Sequence, residues 1–372
     1  MKHLACVVGA RPNFMKMAPI LRALRSRPDI RPVLIHTGQH YDAALSDVFF
    51  EELDMPRPDV SLEVGSGSHG QQTARILERM EQTLTDGPPG GGSYDRVVVV
   101  GDVNSTVAAT LAAAKLGIPV AHVEAGLRSF DRSMPEEINR IVTDSISDML
   151  FVSEPAGVEN LKREGHPDEE IYLVGNVMID TLRFLLPKAQ ERATLTEMEL
   201  EPRGYGFVTL HRPSNVDDAA TLGSLIDTLA EISGKISLIF PMHPRTKARV
   251  EEFGLEEKLT RASGLKVTPP MGYLDCLCLT SQARLIITDS GGLQEESTAL
   301  HVPCVTMREN TERPITVTDG SSTLAGNSAE VLSESVTGIL DGSYKRATCP
   351  SLWDGRAAER TVEALSARLL QS

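Results

Sequence analysis

The stretch IITDSGGLQEESTAL, residues 286–300, passes from a β-type run into a helix-type run across Asp289-Ser290-Gly291-Gly292. An apolar strand that turns at once into a helix through glycines is the corner of a βα unit. The helix start presents N–H groups without intrahelical partners, together with the positive end of the helix dipole. Glycines let a phosphate approach the backbone closely, and Ser290 can donate its hydroxyl. A plain glycine turn would give the same local pattern. Glu295 and Glu296 fall in the first turns, where they either complement the dipole or accept bonds from ribose hydroxyls.

Outward from this corner the same rhythm repeats. LACVV (4–8), VLIH (33–36), VVVV (97–100), IPVAHV (118–123) and MLFV (149–152) read as buried parallel strands. Met17, Ile20, Leu21 and Leu24 keep helical spacing between the first two, as do the alanines of STVAATLAAAKLG (105–117). A second series, FVTL (207–210), ISLIF (236–240), LKVT (265–268), RLIIT (284–288) and VPCVTM (302–307), alternates with stretches such as DDAATLGSLIDTLAEI (217–232). The pattern predicts an α/β protein of two Rossmann-like, doubly wound domains. The joint is expected between 171 and 200, where YLVGNVMIDTL gives way to the polar AQERATLTEMELEPRG. TDGPPGGGSYD (85–95) reads as an exposed loop.

Composition agrees with two domains. The chain has 372 residues, 41% of them hydrophobic, enough for more than one core at ~150 residues per domain. Met1-Lys2-His3 leads straight into LACVV without a small-residue cleavage site, so no signal peptide is expected. No apolar stretch approaches the ~20 residues of a membrane span, and a cytoplasmic protein without a membrane partner is expected. Five cysteines, mostly inside apolar runs, and the spacing Cys276-Leu277-Cys278 fit core packing, with no metal or disulfide expected. A formal charge of -14 argues against a nucleic-acid partner, whose affinity rests on phosphate neutralisation.

In open α/β sheets, ligands bind beyond the carboxyl ends of the strands. After LACVV come Gly9-Ala10-Arg11-Pro12-Asn13. VVVV is followed by Gly101-Asp102-Val103-Asn104-Ser105, and IPVAHV by Glu124-Ala125-Gly126. Later exits carry His211-Arg212, His243-Pro244-Arg245 and Arg308. Two facing sheets would gather these groups into one cleft. Arg11 and Lys16 flank Asn13, a good N-cap residue, so both could face an anion at the first helix's start, although Pro19 disturbs that helix. Asp102 and Glu124 follow adjacent runs. Glu136 and Arg140, four apart behind Pro135, share a helix face, the spacing of a surface ion pair as well as of a site. Carboxylates beside a diphosphate suggest proton transfer. Gly65-Ser66-Gly67-Ser68-His69-Gly70 matches G-x-G-x-x-G but lacks a strong preceding strand and a following acid, so a dinucleotide site is not expected there.

Taken together, GARPNFMKMAPIL, TGQHYD, VVVVGDVNSTVAA, AHVEAGLRSFDRSMPEEINR, VGNVMIDTL, TLHRPSNVD, PMHPRTKARV, MGYLDCLCL, ITDSGGLQEES and ENTERPITV resemble the non-hydrolysing UDP-N-acetylglucosamine 2-epimerases along almost the whole chain. The resemblance implies a GT-B type fold whose last helix, here TVEALSARLL, crosses back to the first domain. Domains 1–170 plus 355–372 and 171–354 follow, the latter binding UDP. It further implies inversion of carbon 2 of UDP-N-acetylglucosamine through elimination and re-addition of UDP, without metal or redox cofactor, for cell-surface polysaccharide precursors. A homodimer is the family's expectation. By the same resemblance Asp102, Glu124, Glu136 and His211 are the catalytic residues. Arg11, His243, Ser290, Gly291, Gly292 and Glu296 match UDP-binding positions, and Lys16, Arg140 and Arg313 match cations near the site. Leu210-His211-Arg212-Pro213-Ser214-Asn215 departs from the GHRRE form of some members. Gln39-His40-Tyr41-Asp42 partly matches a segment linked in some bacterial members to a second UDP-sugar site.

Other readings share parts of this pattern: a 2-epimerase of a decorated UDP-sugar such as a 2,3-diacetamido uronic acid, a hydrolysing epimerase, a glycosyltransferase of the same fold, and a nucleotide-sugar sensor without turnover. Intact HVEAGLRS, PEEINR and TDSGGLQEE favour the non-hydrolysing enzyme, and a sensor would not require Asp102, Glu124, Glu136 and His211 together.

Overall fold

The computed structural model describes residues 1–39 and 50–371; positions 40–42 of the Gln39–Asp42 segment lie outside the described residues. The chain divides into two units, Met1–Thr181 with Ser351–Ser372, and Leu182–Pro350. Among the described residues no helix is long and apolar enough to cross a membrane.

The first unit holds a seven-stranded parallel sheet of β1 (Lys2–Val8), β2 (Ile30–His36), β3 (Val60–Ser61), β4 (Arg96–Val100), β5 (Val120–Ala125), β6 (Met149–Val152) and β7 (Ile171–Leu173). Their order is β3-β2-β1-β4-β5-β6-β7, so the winding reverses between β1 and β4. Ala5 of β1 pairs with both Val33 and Val97. Alternate residues Ala5, Val7, Val33, Ile35, Val97 and Val99 form one core face with Ile76 and Met80 and the alanines of helix Asn104–Lys115. Leu4, Cys6 and Val8 are buried too, and strands covered on both faces become continuous apolar runs.

Helix Arg11–Leu24 begins earlier than expected: Ala10 is the N-cap, and Pro12 stands within the first turn. Asn13 instead turns back, its Oδ1 accepting from the Gly9 and Ala10 amides at 3.1 and 3.2 Å while its Nδ2 donates to the Val100 carbonyl at 2.8 Å. Pro19 does not break the helix. It frees the carbonyl four residues earlier, that of Met15, and the Thr181 hydroxyl donates to that carbonyl at 2.5 Å. Ser68 caps helix His69–Asp86 in a reciprocal box with Gln71, which is the local role of the Gly65–Gly70 stretch.

The C-terminal helix Ala357–Gln371 packs on Arg11–Leu24, as expected. Asp180 accepts from the amides of Ala357 and Ala358 at 3.1 and 2.7 Å, and the Trp353 indole donates to the Ser153 carbonyl. At Gly175, with φ +87°, a Cβ would fall 2.1 Å from the Leu352 carbonyl oxygen. These ties place the division after Thr181, inside helix Val177–Gln190, rather than at 170: β7 completes the first sheet beside β6, and Asp180 and Thr181 bond to the two helices of that unit.

The second unit is a six-stranded parallel sheet, β8 (Tyr205–Thr209), β9 (Ser237–Pro241), β10 (Leu265–Thr268), β11 (Leu285–Thr288), β12 (Cys304–Thr306) and β13 (Ser322–Leu324), in the order β10-β9-β8-β11-β12-β13. Val208, Leu285, Ile287 and Val305 face one core, and Phe207, Ile239, Ile286 and Cys304 the other. Period-two alternation thus serves two helical layers.

Burial pushes the Asp180 carboxyl up to about 6, against the two amides that bond it. The folded chain therefore holds this proton more tightly than the unfolded chain, and stability falls as pH rises from about 4 to about 6. Denaturant unfolding of the wild type and Asp180→Asn across that window should show the wild type's stability, relative to the variant's, shrinking by roughly 2 kcal/mol; parallel pH dependences would contradict it.

Candidate functional site

In the first unit the exits of β4 and β5 lie side by side, with Val100 paired to Val123. Glu124 sits where the β5–β6 register shifts, at φ +72°. A left-handed conformation at a non-glycine residue costs ~1–3 kcal/mol and persists only where its surroundings enforce it. Here the buried Glu124 carboxylate is ion-paired with the buried Lys16 ammonium. Gly101, at φ +67°, lies against this pair: a Cβ there would be 2.8 Å from Lys16 Nζ and 3.4 Å from Glu124 Oε2.

Asp102 Oδ2 lies 2.6 Å from Arg140 Nη1. Arg140 also bonds Glu137, through Nη2 at 2.7 Å and Nε at 3.0 Å. Its helix partner is therefore Glu137, three residues away, rather than the expected Glu136. Glu137 faces inward and accepts from the Ser129 and Phe130 amides, both at 2.9 Å. Burial pushes its carboxyl up, but these amides and Arg140 outweigh burial and hold it below the usual range. Glu136 is half-buried and makes no ion pair among the described residues. It shares a cavity of about 320 Å³ with Asp102, Gln39, His69, Asn104 and Asn139. His69 and Asn104 were not among the expected site residues. Asn104 follows Asp102 at the same strand exit, which was the available signal; His69 lies in the glycine look-alike, which gave none. Arg11 is exposed in the first turn of its helix.

In the second unit Asp289, fully buried at the β11 exit, collects the β8 exit around it. Its Oδ2 accepts from the His211 and Arg212 amides, each at 2.8 Å, and from Asn215 Nδ2 at 3.0 Å. Its Oδ1 lies 2.9 Å from His211 Nδ1. Burial pushes the Asp289 carboxyl up, but His211, the Arg212 amide and Asn215 together hold it below the usual range. Such a carboxylate fixes the ring orientation and leaves Nε2 of His211 for other partners. His243 lies with its ring centroid 5.3 Å from that of His211. Its Nδ1 accepts the Arg245 amide at 3.1 Å, and burial, with His211 and Arg245 beside it, lowers its pKa. His243 can therefore donate from Nε2 as a neutral ring.

Ser290 is the N-cap of helix Gly291–Ala299, with its hydroxyl not engaged in the cap. A Cβ on Gly291 would lie 3.0 Å from Arg313 Nη1 and 3.8 Å from Arg308 Nη1. Arg212 Nε donates to the Asp289 carbonyl at 3.0 Å. Its pKa is lowered by burial and by the neighbouring Arg308 charge, with Arg313 adding to the effect. Three guanidinium groups and a helix N-terminus thus meet at one glycine corner, the chemistry of an anion site. Glu312 holds Arg308 through two 2.9 Å bonds, and Glu295 holds Arg313. Glu296, one residue on, accepts from the Tyr273 hydroxyl at 2.8 Å. Sequence reasoning noted Arg212 and Arg308 at strand exits without assigning them to the corner.

The structure thus brings Lys16, Asp102, Glu124 and Arg140 together in the first unit, and His211, His243, Ser290, Gly291, Gly292 and Arg313 at neighbouring strand ends in the second. Two doubly wound units, with the last helix returned to the first, define the GT-B class. A family model described as UDP-N-acetylglucosamine 2-epimerase matches residues 22–366. A UDP-N-acetylglucosamine 2-epimerase of Methanococcus maripaludis is 44% identical, over 91% of this chain and 92% of its own length. A UDP-2,3-diacetamido-2,3-dideoxy-D-glucuronate 2-epimerase of Pseudomonas aeruginosa is 40% identical, over 97% and 98% respectively. The crystal structure of the Methanocaldococcus jannaschii UDP-GlcNAc 2-epimerase in complex with UDP-GlcNAc and UDP matches with a TM-score of 0.86 at 42% identity, covering 98% of this chain and 99% of that one. The chain belongs to the UDP-N-acetylglucosamine 2-epimerase family, a family of isomerases.

The Arg308–Glu312 pair is almost fully buried, so removing one partner strands a charge. Arg308→Ala should lower stability by about 3 kcal/mol, and the double change Arg308→Met with Glu312→Leu should recover most of that loss. Denaturant unfolding of both variants checks this, and a loss under about 1 kcal/mol in the single variant would contradict it.

Proposed function

We propose that this chain interconverts UDP-N-acetylglucosamine and UDP-N-acetylmannosamine by inverting carbon 2, without net hydrolysis. The observation that carries this is the division of labour within one chain: clustered carboxylates at the β4 and β5 exits, and a guanidinium-lined helix start at the β11 exit. A hydrogen beside an N-acetyl group is too weakly acidic for simple removal and return. Elimination avoids that difficulty. A base takes the carbon 2 proton, the C–H electron pair becomes the C1–C2 double bond of 2-acetamidoglucal, and the C1–O pair leaves on the β-phosphate of UDP. Re-addition of UDP to carbon 1, with a proton delivered to the other face of carbon 2, completes the inversion.

Two faces require two proton-transfer groups, and Asp102, Glu124 and Glu136 supply the candidates. Asp102 and Glu124 are each held in place by an ion pair, with Arg140 and Lys16, and Glu136 makes none among the described residues. Ser290, Gly291, Gly292, Arg313, His243 and His211 would bind the diphosphate as negative charge develops on it, with Arg212 and Arg308 adding to the same corner. Glu296 would take the ribose.

The 40% identical relative named for a diacetamido uronate supports a second reading, a decorated sugar on the same chemistry. Turnover of both UDP-sugars by purified protein, with products resolved by chromatography, separates the two. A kcat/KM at least about tenfold higher for UDP-N-acetylglucosamine is expected. The reverse preference would favour the uronate, and accumulation of free N-acetylmannosamine with UDP would mean a hydrolase. Asp102→Asn should bind UDP within about threefold of wild type yet lose about 100-fold or more in kcat; unchanged turnover would remove Asp102 from the mechanism.

A further inference from the structure

His122 stands on β5 two residues before Glu124 and is fully buried. Its ring reaches two different elements. Nε2 lies 2.8 Å from the carbonyl oxygen of Gly101, the residue before Asp102. Nδ1 lies 2.6 Å from Oδ1 of Asp144, in helix Pro135–Ser145. The other Asp144 oxygen accepts from the Gly126 amide at 3.0 Å and lies 2.7 Å from Arg128 Nη1. Gly126 closes the turn that carries Glu124, and its own position is fixed: at φ +79°, a Cβ there would fall 2.5 Å from the Gly157 carbonyl oxygen.

A carbonyl can only accept. Burial pushes the Asp144 carboxyl up, but His122, Arg128 and the Gly126 amide outweigh it and hold the group below the usual range, so Asp144 is ionised and accepts as well. Nε2 of His122 therefore donates to the Gly101 carbonyl, and the ring spans from the Gly101 turn to Asp144 and through it to the Gly126 turn. A buried polar cluster of this kind often stabilises a fold no more than apolar residues of the same volume would. Its place, between the two turns that present Asp102 and Glu124, is what a stability role alone does not explain.

We propose that His122, seated by Asp144, is a positioning residue that holds the Gly101–Asp102 turn and the Glu124–Gly126 turn in one frame, keeping the two carboxylates at the separation that proton transfer at carbon 2 requires. The inference rests on the epimerase reading. Proton transfer falls steeply with small displacements of the reacting groups, so the frame acts on kcat, while UDP binding at the second unit's corner does not depend on it.

Two substitutions divide the ring's contacts. The amide of His122→Gln reaches as far as Nε2 and keeps the bond to the Gly101 carbonyl; that of His122→Asn matches Nδ1 and keeps the bond to Asp144. Both should bind UDP, and show KM, within about threefold of wild type, with kcat down about tenfold in the Gln variant and about 100-fold in the Asn variant. The limbs of the kcat/KM pH profile should also move. Wild-type kcat in either folded variant, or a loss confined to KM, would overturn the proposal. If neither variant folds, ¹⁵N NMR of histidine-labelled wild type decides: a slowly exchanging hydrogen on Nε2 of His122, held by the Gly101 carbonyl, is expected, and an Nε2 without hydrogen overturns the frame. Wild-type protein inactive on UDP-N-acetylglucosamine would sink the epimerase reading instead, and the ring spectrum would still test the frame separately.

Discussion

Burying a carboxylate costs several kcal/mol unless hydrogen bonds and charges replace the water it loses, and in each unit one fully buried aspartate is satisfied by the turns that carry functional groups. Asp144 takes the Gly126 amide, Arg128 and His122, and through His122 reaches the Gly101 turn. Asp289 takes the His211 and Arg212 amides and Asn215 on one oxygen, with the His211 ring 2.9 Å from the other. Neither can be satisfied without fixing loops from two neighbouring strands. Asn13 does the same work, uncharged, where the first sheet reverses its winding, tying the β1 exit to the β4 carbonyl. The rigid strand ends on which the candidate site stands follow from these demands.

The two units divide the chemistry by charge. In the first, carboxylates dominate the exits, and Lys16 and Arg140 hold two of them in place. In the second, cations dominate, with Glu312 and Glu295 fixing the arginines instead. Elimination of a diphosphate asks for both environments at once: proton acceptors at carbon 2, and a preorganised positive corner that meets the leaving group without reorganising.

Much of this was legible in the sequence because doubly wound folds write their pattern locally. The apolar runs at 4–8, 97–100 and 284–288 became the central strands, and the polar residues after them became the strand-exit groups. The returning helix was legible from resemblance alone. Bonds between residues distant in sequence were not. Asn13 reads as an N-cap by residue type, but Pro12 moves the helix start and Asn13 bonds a strand 87 residues away. Pro19 reads as a disturbance because its remedy, the Thr181 hydroxyl, lies 166 residues on. Helical spacing paired Arg140 with Glu136, whereas the inward-facing Glu137 and Asp102 claim it. The roles of His122 and Asp144 were hidden for the same reason, since a histidine inside an apolar run carries no signal of what its ring meets.

Inversion of carbon 2 through loss and return of its proton, with UDP retained, is the proposal on which the rest of the chemistry depends. A proton NMR time course of purified protein with UDP-N-acetylglucosamine in deuterated water tests it most directly. UDP-N-acetylmannosamine bearing deuterium at carbon 2, with little free UDP, is the predicted result. Product that keeps its original hydrogen at carbon 2, or free N-acetylmannosamine accumulating with UDP, would contradict it.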